Sequence, residues 1–181
     1  LYMLQVISLL VENKPGALQR ITGVLTARGY NIESLTVART QETGLSRMTI
    51  VVDIEPQLRR QVIKQIDRLI NVLQASDLTD GPTVQREMLL MRLRVTKENR
   101  AAVLKEAEIF DARVVDSSVE GFALEATGDP VKLDEFIDVM SSYGEVEVTR
   151  SGVVAISLEP RRLRLSAPIP TRAAAQAMHE V

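Results

Sequence analysis

The same order of strand and helix patterns occurs twice in the sequence, and this repetition restricts the fold more than any other feature. In the first half, Leu18, Ile21 and Leu25 recur at spacings of three and four, which predicts one buried helical face. Apolar runs rich in β-formers surround that helix, and Pro56 opens a second one. The predicted order is β-α-β-β-α-β, with strands at 3–11, 31–39, 46–54 and 71–78 and helices between Gly16 and Gly29 and from Pro56 to Leu69.

The second half repeats this order after a break at TDGPT, residues 79–83, which is rich in turn formers. Residues 89–95 alternate along one strand face, and Glu120-Gly121 predicts a hairpin. On a helix over 97–109 we expect Leu104 and Glu108 to form the periodic pair; a further helix at 131–140 and a closing strand over 145–158 complete the order. The sequence therefore predicts an α+β protein with domains at 3–79 and 86–158, a linker at 80–85 and a tail at 159–181.

Composition excludes several classes of protein. There is no cysteine, which removes thiolate chemistry, and the one histidine, His179, lies near the end of the sequence, so no metal site is expected. The formal charge of −2 provides no general attraction for nucleic acid, and the basic cluster Arg161, Arg162 and Arg164 is interpreted as a solvated segment. No apolar run approaches the roughly 20 residues that span a bilayer, and the start has no signal-peptide pattern. We expect a cytoplasmic protein with no membrane or nucleic-acid partner.

The loop between the first strand and the first helix carries the strongest binding signal. Gly16 lies where the helix begins, and the first amides of a helix have no partners within it, so they form an anion site. Asn13 and Asn31 each offer a donor and an acceptor. Together with an apolar wall, these groups have the chemistry that a free amino acid needs. The structural alternatives stay open: an asparagine that ends a strand, a glycine that turns the chain, and an asparagine that follows a turn.

Long strings in the sequence resemble one known family. LLVENKPGALQRITGVLTARGYNIESLTVART, followed by LSRMTIVV, resembles the ACT domain of the small regulatory subunits of acetohydroxyacid synthase, also called acetolactate synthase. EIFDARVVD and EVTRSGVVAIS resemble the C-terminal domain of the same subunits. The resemblance covers roughly residues 3–158 and leaves out the tail. It implies two ferredoxin-like domains, the first of which pairs with its copy in a homodimer.

The resemblance also implies a function. Family members activate a catalytic large subunit and make it sensitive to feedback inhibition by valine, which binds at the dimer interface. By position, Asn13, Gly16, Ala17 and Leu18 would hold the valine, and Asn31 and Ile32 would reach in from the partner chain. No catalytic residue is expected in this chain, and thiamine diphosphate, magnesium and FAD would belong to the catalytic subunit. Pro15 stands where the family often has a small polar residue, which stiffens the loop and removes a donor.

Three other functions compete with this one. An amino-acid sensor that acts without a catalytic subunit would use the same loop. An RNA-binding module shares the strand order but stacks bases on sheet aromatics, whereas aromatic residues are 3% of this chain. An enzyme could pair carboxylates such as Asp111, Asp116 and Glu120, yet these fall at predicted helix ends and turns, and no phosphate-binding motif accompanies them.

Overall fold

The first domain has the predicted order of elements, with two helices packed on one face of an antiparallel sheet. A computed structural model of the chain describes residues 3–159. The sheet order is β2-β3-β1-β4, so β2 and β4 are its edges. Ile21 and Leu25 from the first helix and Val62 and Ile66 from the second are fully buried, as the helical spacing predicts. Leu18, predicted to lie on the same buried face, is instead 43% exposed, and Ala17 is the buried residue of that turn. The elements are β1 (Met3–Glu12), α1 (Ala17–Thr26), β2 (Asn31–Arg39), β3 (Leu45–Ile54), α2 (Pro56–Asp67) and β4 (Val72–Asp77).

The second domain repeats the architecture, and the predicted α+β class with two ferredoxin-like units is confirmed. Its sheet order is β6-β7-β5-β8. Its first helix, predicted over 97–109, spans Arg100–Ile109 and buries Val103 and Ala107. The periodic pair Leu104 and Glu108 lies on the exposed side of this helix, where Leu104 is 41% exposed. The elements are β5 (Thr83–Arg94), α3 (Arg100–Ile109), β6 (Arg113–Ser117), β7 (Gly121–Gly128), α4 (Pro130–Ser141), β8 (Val146–Arg150) and β9 (Val154–Ser157).

The closing strand predicted over 145–158 is two strands, β8 and β9, which pair with successive parts of β5. Leu89 pairs with Arg150 and Arg86 pairs with Val154, so the β8–β9 side has one residue more than β5 between these two pairs. Such an extra residue is a β-bulge, which bends the strand and redirects its side chains. Gly152, in the interruption, has a φ of +83°, a left-handed value that ends the regular strand.

The two domains pack directly against each other and are not connected only by a linker. Strand β5 begins at Thr83, so residues 83–85 of the segment interpreted as a linker belong to a strand, because β9 supplies their hydrogen-bond partners. Val153 is buried with Val6, Val51 and Leu78 in an apolar cluster that spans the two domains. The face of the first sheet that carries no helix therefore packs against the second domain.

Several sequence interpretations fall outside the described residues. These are the tail from residue 160 onward, the basic cluster Arg161, Arg162 and Arg164, and His179. Between residues 3 and 159, no helix is long and apolar enough to cross a bilayer.

Candidate functional site at the first strand-helix loop

A tight turn leads from β1 into α1. The Ala17 backbone N–H donates to the Lys14 carbonyl at 3.2 Å, which closes a four-residue turn around Pro15 and Gly16. Gly16 has φ of 83° and ψ of −9°, the values of the third position of a type II turn, where glycine is preferred. Proline is common at the second position because its ring fixes φ near the value that the turn requires. Pro15 and Gly16 therefore both favour this turn without a ligand.

This turn leaves free backbone donors at the start of α1. The N–H groups of Leu18 and Gln19 have no acceptor among residues 3–159, and the first helical bond runs from Arg20 N–H to the Gly16 carbonyl at 3.1 Å. The first turn has no acidic residue and no side-chain cap. Free amides and the positive end of the helix dipole together favour an anion. Ala17 was also predicted to hold the ligand, but it is buried and its N–H already donates within the turn, so it offers no free donor.

Asn13 lies at the entrance to this loop with its side chain available. Its backbone N–H donates to the Gly44 carbonyl at 2.7 Å, which ties the loop to the β2–β3 hairpin. The residue is exposed, and its side-chain amide has no partner within the described range 3–159. The Asn13 amide can therefore donate to or accept from a ligand near the helix start.

A chain of polar contacts holds the base of the loop. Lys14 Nζ lies 3.0 Å from Glu12 Oε1, and Asn71 Nδ2 donates to Glu12 Oε2 at 2.9 Å. Arg20 in turn donates to the Asn71 side-chain oxygen. The hydrogen bond from Lys14, followed by that from Asn71, lowers the pKa of the Glu12 carboxyl below its ordinary value. These contacts connect the end of β1, the loop and α1.

Asn31 and Ile32 begin strand β2 and are offset from the rest of it. Ile32 pairs with Val52 and Ser34 with Val51, so Glu33 is an extra residue in a β-bulge. The Asn31 side chain is exposed and its amide donates to the Glu33 carboxylate. Ile32 packs partly into the core. The bulge thus shifts Asn31 and Ile32 by one residue relative to the pairing register of the rest of β2.

One chain does not bring the two asparagines together. Asn31 lies opposite Asp53, which lies opposite Leu4, whereas Asn13 follows the other end of β1. Leu4 and Asn13 are nine positions apart along an extended chain, which corresponds to roughly 30 Å. Strand β2 is an edge, however, and an edge strand can pair with another chain. The predicted residues can form one site only if two chains contribute.

The carboxylates considered for an enzyme do not form one cluster: Asp116 and Glu120 line a common cavity, and Asp111 is not among its lining residues. Asp111 follows α3 and forms an ion pair with Lys132 at 3.3 Å, Asp116 lies on the edge strand β6, and Glu120 is in the β6–β7 turn. Within residues 3–159, no three such side chains are grouped so that they could hold a metal ion. The RNA alternative is also unsupported, because β1 and β3 have no aromatic residue.

Comparisons with known proteins identify the two domains. Residues 7–74 match the model of the AHAS small subunit-like ACT domain, and residues 86–159 match that of the small subunit of acetolactate synthase. A probable acetolactate synthase small subunit of Archaeoglobus fulgidus is 46% identical over 154 residues, covering 85% of this chain and 96% of the relative. The acetolactate synthase small subunit of Mycolicibacterium smegmatis is 41% identical over 155 residues, covering 86% of this chain and 91% of the relative.

A solved structure agrees with both domains together. The crystal structure of the acetolactate synthase small subunit from Thermotoga maritima matches with a TM-score of 0.76 at 32% identity, covering 85% of this chain and 96% of that one. The fold and the loop thus define an ACT-domain protein with a second α+β domain. Within that class, the chain belongs to the family of acetolactate synthase small subunits.

Proposed function

We propose that this chain is the non-catalytic regulatory subunit of an acetolactate synthase. In this role it activates a catalytic large subunit and makes it sensitive to feedback inhibition by valine. Two copies pair through their ACT domains, and each of two equivalent sites takes valine between the loop of one copy and the start of β2 of the other. Thiamine diphosphate, magnesium and FAD are held by the catalytic subunit, not by this chain.

The separation of Asn13 from Asn31 is the observation that carries the proposal. Two copies related by a two-fold axis would place their β2 strands side by side and antiparallel. This pairing brings the β2 start of one copy to the end of the sheet where the other copy has its loop. The exposed edge of β2 supplies the unpaired backbone groups for such a ladder.

The chemistry of the loop fits a free amino acid. The free amides of Leu18 and Gln19 suit a carboxylate, and the side-chain oxygens of Asn13 and Asn31 suit an ammonium group. Burying the isopropyl group of valine would contribute roughly 1.5 to 3 kcal/mol, and each charge-assisted hydrogen bond about 1.5 to 3 kcal/mol. Ordering costs reduce this sum, so affinity in the micromolar to millimolar range is expected, as suits a metabolite sensor.

A site between two chains also explains how valine binding would regulate the catalytic subunit. A ligand shifts an equilibrium only by its difference in affinity for the two states. Valine that touches both copies favours one relative position of the ACT domains, and a coupling free energy of about 1 to 3 kcal/mol is typical of such regulation. The catalytic subunit would respond to this change in the relative position of the ACT domains.

Reconstitution tests the proposal. The purified chain is mixed with the catalytic subunit, acetolactate formation from pyruvate is measured, and valine is titrated in; calorimetry with valine, leucine and isoleucine follows on the chain alone. We expect faster turnover with the chain present, inhibition by valine, and no acetolactate from the chain alone. Valine binding without any effect on the catalytic subunit would instead support the sensor that acts alone, and activity of the isolated chain would overturn the proposal.

A further inference from the structure

Val153 in the β8–β9 bulge forms two hydrogen bonds with strand β2 of the other domain. The Val153 backbone N–H donates to the Ser34 hydroxyl oxygen at 2.8 Å, and the Thr36 hydroxyl donates to the Val153 carbonyl at 2.9 Å. Ser34 and Thr36 are two apart on β2, so both side chains point to the same face of the sheet. We name these two hydrogen bonds, with the adjoining Gly152, the β2 clamp.

Gly152 lets the two domains approach this closely. Its φ of +83° is a value that side chains with a Cβ adopt at a cost. A Cβ at this position would lie 2.9 Å from Ser34 Oγ and 3.0 Å from Thr36 Cγ2. Glycine therefore suits the backbone conformation of the clamp, and a Cβ here would displace the Ser34 hydroxyl that accepts from Val153.

The clamp is firmly attached to the second domain. The Glu87 carboxylate, 6% exposed, accepts the Gly152 N–H at 3.1 Å and contacts the Arg150 guanidinium at 2.6 Å. Arg150 also pairs with Asp134 on α4 at 2.5 Å. Val153 is buried in the apolar cluster between the domains. Gly152 is thus linked through Glu87 on β5 and the partly buried Glu87–Arg150 ion pair to Asp134 on α4. Removing one partner of such a pair is destabilising, which keeps this linkage intact in the folded protein.

We propose that the β2 clamp couples occupancy of the effector site to the position of the second domain. The inference rests on the proposed function, because it concerns the same effector site. Ser34 comes three residues after Asn31 and directly after the bulge at Glu33, so a ligand that reorients Asn31 moves the residues that grip Val153. By reciprocity, loosening the clamp must change valine affinity. Ser34, Thr36 and Gly152 act as positioning residues, since they hold β2 in the conformation that presents Asn31 and Ile32.

Substitution of the clamp tests the inference. Thr36→Val removes the hydroxyl that donates to Val153 and keeps the shape of the side chain; Thr149→Val, on an exposed part of β8, is the matched control. We expect Thr36→Val, alone or with Ser34→Ala, to weaken valine binding about fivefold or more in calorimetry. Hydrogen exchange of residues 151–153 should quicken in the variant, and Thr149→Val should behave as the wild type does.

Gly152→Ala is the stronger version of the same test. Gly44→Ala controls for backbone strain, because Gly44 has φ of +85° and open space where its Cβ would lie. We expect Gly152→Ala to lower the melting temperature more than Gly44→Ala does and to raise the valine concentration that half-inhibits the reconstituted enzyme. If the Thr36 and Gly152 variants bind valine with wild-type affinity, the coupling is refuted while the proposed function stands. If the wild type itself binds no valine, the proposed function fails first.

Discussion

Asn13 and Asn31 lie at opposite ends of one antiparallel sheet, about 30 Å apart along β1, although both belong to the candidate site. A valine molecule is several times shorter than this distance. Either one of the two asparagines has no part in binding, or the two act from different chains. Experiments with mixed dimers separate these possibilities.

A dimer of two different defective chains should recover half of its sites. Gly16→Asp disables the loop and Asn31→Ala disables the β2 start, so each homodimer has two damaged sites. In the heterodimer, one site combines both defects and the other has the wild-type loop and the wild-type Asn31. We expect calorimetry of the purified heterodimer to show one valine per dimer with wild-type affinity. No recovery would mean that the residues do not meet across an interface.

A negative charge introduced at Gly16 should weaken valine binding. Asparagine and aspartate tolerate left-handed backbone better than most residues, and a Cβ on Gly16 meets nothing within 4 Å in the chain, so Gly16→Asp should fold. Its carboxylate would oppose the carboxylate of valine, and two like charges about 4 Å apart repel by about 4 kcal/mol near a protein surface. We expect valine affinity to fall by at least about 100-fold. Gly16→Asn, of equal size and uncharged, should lose much less; an equal loss in both variants would point to shape and not to charge.

The turn around Gly16 shows which parts of the site the sequence could predict. Pro15-Gly16 determines its own conformation through local sterics, and the free amides follow from the start of any helix. The bulges at Glu33 and at Ser151–Val153 could not be predicted in the same way, since an extra residue is defined only by the strand opposite. The β2 clamp was missed because Ser34 and Val153 are 119 residues apart. The available signal is Ser151-Gly152 inside the predicted closing strand at 145–158, because a glycine within a strand pattern often marks a bulge.

Glu12 should make stability depend on acid pH. Its pKa is lowered in the folded state by Lys14 and then by Asn71, so its contribution is complete above the ordinary glutamate pKa and is lost as pH falls through the lowered value. We expect Glu12→Gln to be less stable than the wild type at neutral pH, with the difference shrinking below about pH 4.5. Urea unfolding from neutral pH to about pH 3 measures this. Glu135→Gln, an exposed site on α4, is the control; a difference that grows in acid would contradict the assignment.

Asp53 should weaken the fold of the isolated chain. It lies between Leu4 and Asn31 in the sheet, and its Oδ1 is buried without a hydrogen-bond partner among residues 3–159. An unsatisfied buried acceptor costs about 1 to 3 kcal/mol, and valine also fits a strand better than aspartate does. We therefore expect Asp53→Val to raise the free energy of unfolding by about 1 kcal/mol.

Asp116→Val separates these two causes, because Asp116 is an exposed residue on the edge strand β6. Chemical denaturation of both variants measures the difference. If burial of the Asp53 oxygen is the main cost, only Asp53→Val gains substantially; equal gains in both variants would assign the effect to strand propensity. A loss of stability in Asp53→Val would show that its carboxylate has a partner in solution, and the edge of β2 next to it is where a second chain would supply one.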